Sequence, residues 1–160
     1  MVDDARFEDA GDKPLRLKAL DEDDLNVIAA LVQDAVFPAS EIKWDRKARR
    51  FAILLNRFRW EDADRAAARK RDYERVQSVL VMEDVMAVKA QGVDPADKDM
   101  VYALLSVVFH PGEDGMGRIE LTLAGDGAIA VDVEALEVVL RDVTRPYVAP
   151  SGQAPSHELD

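Results

Sequence analysis

The chain has no cysteine at all. That excludes a disulfide framework, a thiolate metal site and a thiol nucleophile, and it suits a reducing cytoplasm. Histidine is nearly missing too. His110 stands alone beside Pro111, and His157 lies in the tail, so no two-histidine metal motif fits in the body of the chain. Apolar runs are short. The longest, residues 101–109, is far below the roughly 20 residues of a membrane span, and residues 1–13 lack the apolar core of a secretion signal. Positive charge is scarce overall, with net charge −11 and a pI near 4.6. Nucleic-acid domains commonly have a pI above about 9, so broad nucleic-acid or anionic-membrane binding is disfavoured.

Catalytic motifs are absent as well. Ser78 and Ser106 fall within strand-like runs, not in a strand-to-helix elbow. No G-x-G-x-x-G or P-loop spacing follows a strand, and Gly125-Asp126-Gly127 has the character of a turn. Glu113 and Asp114 could contribute to a hard-cation site, but nothing nearby spaces ligands like a calcium loop. No catalytic residue, metal or cofactor is therefore assigned.

What the chain does have is an uneven charge layout. Residues 43–75 hold twelve bases and six acids, a local +6 that leaves −17 on the remainder. Clustered charge steers association. Within this band Arg57 and Arg59 interleave with Phe58 and Trp60, which places the two arginines on one strand face. Arg49, Arg50, Arg57, Arg59 and Trp60 are accordingly the candidate binding residues, since guanidinium forks take carboxylate or phosphate. The bland alternative is a solvated face paired with the chain's own acids. Trp44 and Trp60 read more naturally as core than as ligand platforms.

The hydrophobic pattern gives a strand over residues 15–20, then Asp21 as N-cap of a helix with Leu25, Ile28, Ala29, Val32 and Val36 on one stripe. Period-two runs follow around 42–45, 51–60, 76–82, 85–90, 101–109, 119–123 and 129–133. The phase change after Asn56 predicts a bulge or a strand end near it. Leu136, Val139, Leu140 and Val143 fit the stripe of a closing helix. Residues 61–72 read as a short solvated helix or a loop. The expected fold is α+β: one strongly twisted, mostly antiparallel sheet of about six to eight strands with an N-terminal and a C-terminal helix. By analogy such a sheet rolls as in pleckstrin-homology-like folds. One domain covers 14–145, with 1–13 and 146–160 disordered.

Three blocks carry a resemblance to a known family: residues 15–25, residues 49–61, and residues 124–142 with Ala124-Gly125-Asp126-Gly127-Ala128 at their start. Together they resemble a family of small bacterial proteins defined only as a domain of unknown function (DUF 2948), over roughly Leu15 to Val143. The resemblance implies a single domain in a bacterial cytoplasm and brings no catalytic residues. The function expected from the residues is non-enzymatic: a binding or accessory protein whose cationic face at 43–75 meets an acidic protein or a second copy of itself. The alternative is a small-ligand-binding or enzymatic domain with a pocket in the curved sheet. Weak polyanion binding comes third.

Overall fold

The computed structural model describes residues 13–148 and 154–155. The segments expected to be disordered, 1–13 and 146–160, fall largely outside these residues. Among the described residues no helix is long and apolar enough to cross a membrane.

The chain opens with β1 (Arg16–Ala19) and α1 (Glu22–Leu31). Asp21 caps α1 by accepting from the Asp24 N–H at 2.8 Å, and Glu22, Asp23 and Asp24 sit at the positive end of the helix dipole. Leu25 and Ile28 bury the apolar stripe. The helix stops short of Val36 because Asp34 turns the backbone with φ 65, and β2 (Val36–Pro38) follows. A 3₁₀ turn (Ala39–Glu41) leads into β3 (Ile42–Asp45) and β4 (Arg50–Phe58). A second 3₁₀ turn (Trp60–Asp62) and α2 (Ala63–Ala68) occupy the stretch read as helix or loop. Then come β5 (Glu74–Met82), β6 (Val85–Gln91), β7 (Val101–Pro111), β8 (Gly117–Leu123), β9 (Ala128–Val133), β10 (Val138–Asp142) and β11 (Tyr147–Val148).

All the strands join one antiparallel sheet in the order β1-β10-β5-β4-β2-β7-β8-β9-β6, with β11 on β5 and β3 on β4. The mostly antiparallel α+β class is as expected, but among the described residues the sheet has eleven strands. The three additional strands are β2, β10 and β11, two of them only two or three residues long.

The closing helix is a correction. Residues 138–142 are a strand between β1 and β5, with Val138, Leu140 and Asp142 buried and Val139 and Arg141 turned outward. The same valines and leucines satisfied both periods. Consecutive β-branched Val138 and Val139, and two strand edges waiting to be paired, favour the strand. Of the two alternatives near Asn56, the bulge is absent and the strand ends two residues on, at Phe58. β4 pairs β5 in unbroken register from Phe51↔Met82 to Phe58↔Arg75. Bulges lie elsewhere, between Val85 and Ala87 on β6 and between Leu104 and Ser106 on β7.

The core packs against this sheet, with Phe37, Phe51, Ile53, Leu80, Leu104 and Leu121 among its buried members. One edge of β4 serves two short neighbours. Near Asn56 it pairs β2, which passes the sheet on to β7; from Arg50 to Ile53 it pairs β3, which among the described residues pairs no further strand. That fork leaves one edge of β3 without a strand partner among the described residues.

Candidate functional site

The cationic band is only partly a surface. Arg57 follows Phe51, Ile53 and Leu55 on the inward face of β4 and is 0% exposed. A buried guanidinium needs every donor engaged. Its Nη1 and Nη2 each donate at 2.9 Å to the two oxygens of Glu61, its Nη2 donates to Asp142 Oδ1 at 3.0 Å, and its Nε donates to Ser78 Oγ at 3.0 Å. Ser78 in turn donates to Asp142 Oδ1 at 2.6 Å, and the Leu15 N–H donates to Oδ2 at 2.9 Å. Burial pulls the Arg57 pKa down, but hydrogen bonds and charge from Glu61 and Asp142 outweigh it, and the net shift is upward. This one cluster ties β1, β4, β5, β10 and the turn before α2.

Arg59 is 4% exposed and contacts Glu74, with Asp62 Oδ2 at 3.5 Å and Glu61 Oε2 at 3.7 Å. Asp62 is buried and takes a two-pronged contact from Arg71 at 2.7 and 2.8 Å. Desolvation pushes the Asp62 carboxyl up, yet the Arg71 hydrogen bond and the charges of Arg59, Arg71 and Arg65 hold it below the ordinary carboxylate value. A depressed carboxyl contributes stability present above the unfolded pKa, about 4, and lost as pH falls through the folded value. Asp62→Asn is therefore expected to flatten the acid limb of the stability profile. Urea melts at about pH 5 and about pH 3 check this, because only the wild type should lose the increment between them.

Of the five residues singled out from sequence, Arg57 and Arg59 do share a neighbourhood through Glu61, but they face inward. Arg49 and Arg50 are exposed at the turn between β3 and β4, paired with Glu134 at 2.7 Å and Glu83 at 3.0 Å. Trp60 is half-buried; its ring meets Phe58 edge-on at 4.6 Å, and its Nε1 donates to the Gln33 carbonyl at 2.9 Å. The five do not form one accessible patch. The inward placement of Arg57 was available as a signal, because the odd-numbered apolar positions of β4 run into it without a break.

A different arrangement lies between β3 and β6. Among the described residues β3 is hydrogen-bonded only to β4 and β6 only to β9, and the two strands lie on opposite sides of one gap. The gap between them is closed at both ends. At one end the Val85 N–H donates to the Arg49 carbonyl at 2.9 Å. At the other, the Ser40 and Ala39 N–H groups donate to the carbonyls of Lys98 and Met100 at 3.1 and 2.9 Å.

The window so framed opens into a cavity of about 520 Å³. Its walls are Ile42, Phe51, Val88, Val93, Pro95 and Ile129, with Ala39 and Ala90 adding small side chains. The polar lining is Ser40, Lys43 and Lys98. A neighbouring recess of about 430 Å³ shares Val88 and reaches Trp44, Met86, Arg46 and Arg49. Among the described residues lining either space there is no carboxylate. Such a site can take apolar surface out of water and place negative charge beside ammonium groups. Sequence reading found only Lys43, Arg46, Arg49 and Trp44 near it. Val88, Ile129 and Lys98 arrive by closure between strands far apart in the chain.

The family model described as "Protein of unknown function (DUF2948)" matches residues 15–157, and the chain belongs to that family. No curated protein and no solved structure matches it.

Proposed function

We propose that this DUF2948 member is a non-enzymatic binding protein whose working site is the window between β3 and β6. The observation that carries the reading is the apolar cavity of about 520 Å³ opening between two strand edges that stay unpaired among the described residues, with lysines at its rim. Sites for small molecules commonly measure about 300–1,000 Å³ and combine an apolar lining with a few polar groups. The cationic band supports this placement better than a flat docking face. Arg57 and Arg59 serve the fold, while Lys43, Arg46 and Arg49 border the window or its adjoining recess. A reducing cytoplasm suits a chain without cysteine.

The test uses the two tryptophans. Trp60→Phe leaves Trp44, which lines the recess, as the sole indole. Titration with decanoate and with 1-decanol should shift Trp44 emission along a one-site curve for at least one of them. A spectrum that neither compound moves would count against the window as a ligand site.

A second reading has its own observation. Lys43, Arg46 and Lys47 are exposed and make no ion pair among the described residues. They could receive an acidic protein or a second copy through charge complementarity. Salt separates the two readings, since charge-only docking weakens steeply with ionic strength while burial in the cavity does not.

A further inference from the structure

We propose that the molecule taken by the window is a single-chain anionic amphiphile, with its charged head at Ser40, Lys43 and Lys98 and its apolar chain inside against Val88, Phe51 and Ile129. The proposal rests on the window being a ligand site and adds the class of ligand.

Three features of the site support it. First, polarity is segregated. Ser40 and Lys43 lie within four residues of each other along the rim, and Lys98 is held beside them because its carbonyl accepts from the Ser40 N–H. The apolar residues form the rest of the lining. Second, all the charge there is of one sign. Lys43 and Lys98 make no ion pair among the described residues, and no acid lines the cavity, so a neutral or cationic ligand would leave the ammonium groups without a counter-charge. Both lysines are exposed, so the head group would stay at the wet mouth while the chain goes in.

Third, the competing occupant, an extended peptide added as a strand, is poorly served. Its templates would be the free edges of β3 and β6. β6 is irregular between Val85 and Ala87, and Lys43 and Lys89 stand on these edges. Bulges and lysines are the devices that keep an edge from pairing. A ligand that makes no main-chain ladder avoids both.

The experiment is calorimetric titration of the full chain with decanoate and 1-decanol, which share a chain length and differ in charge. Decanoate should bind one site about tenfold more tightly, the modest scale of charge contacts at a solvated rim. Lys43→Gln with Lys98→Gln should weaken decanoate by about that factor and leave 1-decanol unchanged, so the alcohol also reports that the double variant is folded. Equal affinity for the two compounds, or decanoate binding indifferent to the lysine changes, would overturn the anionic class while leaving the window intact as a ligand site. Binding of neither compound would overturn both. An extended glutamate-rich peptide that displaces decanoate at equal stoichiometry would assign the site to a protein segment instead.

Discussion

Asp142→Ala is expected to lower the unfolding free energy by about 3–5 kcal/mol, the cost of removing one partner from a buried ion pair. Three groups each lose an acceptor at once: Arg57 Nη2, Ser78 Oγ and the Leu15 N–H. Glu61 still holds Arg57, but it lies toward solvent and cannot satisfy the inward donors. The effect should also loosen β1, whose start is fastened to Asp142 by that N–H. A companion variant separates ionic strain from lost packing. Arg57→Met together with Asp142→Leu should recover most of the loss, because apolar replacement of a buried pair is often neutral or stabilising. Chemical denaturation monitored by circular dichroism reads both. A loss below about 1 kcal/mol in Asp142→Ala would mean that the cluster is not what fastens β1, β4, β5 and β10 together.

Ala90→Trp carries the second large effect. Ala90 lies on β6, lines the cavity and is exposed, so an indole there has room to project across the mouth. Folding should be little changed, since surface substitutions away from special features stay within about 0.5 kcal/mol. Ligand binding should fall by about a hundredfold. That corresponds to excluding roughly 110 Å² of apolar ligand surface, or about 2.8 kcal/mol. Normal melting with binding lost would locate the site at the window. Normal melting with binding retained would move it elsewhere.

Much of the fold was legible because period-two patterning is strong wherever one face is buried. The runs at 76–82, 119–123 and 129–133 became β5, β8 and β9 nearly as read. The failures share a cause. Arg57 and Asp142 are charged residues in inward positions, and each interrupted an apolar pattern that in fact continued. At Arg57 the interruption suggested a bulge or a strand end. At Asp142 it hid the alternation Val138, Leu140, Asp142 and left the helical spacing to win. Each residue makes the other's burial tolerable, a compensation made across the sheet that no local pattern displays. The window was less legible still. The sequence marks β3 and β6 as strands, but that they lie across one gap depends on β4 giving its edge to two neighbours. The expected pocket in a curved sheet named no residues, and the cavity's lining comes from strands far apart in the chain.

The most direct measurement is an amide shift map from two-dimensional ¹H–¹⁵N NMR with decanoate added to the wild type and to Ala90→Trp. The account predicts saturable shifts concentrated in β3, in residues 86–90 of β6 and in the 93–98 loop, all suppressed in the variant. Shifts spread over the exposed face of β7 around Val101, Leu105 and Val108, or a window that stays silent, would contradict it.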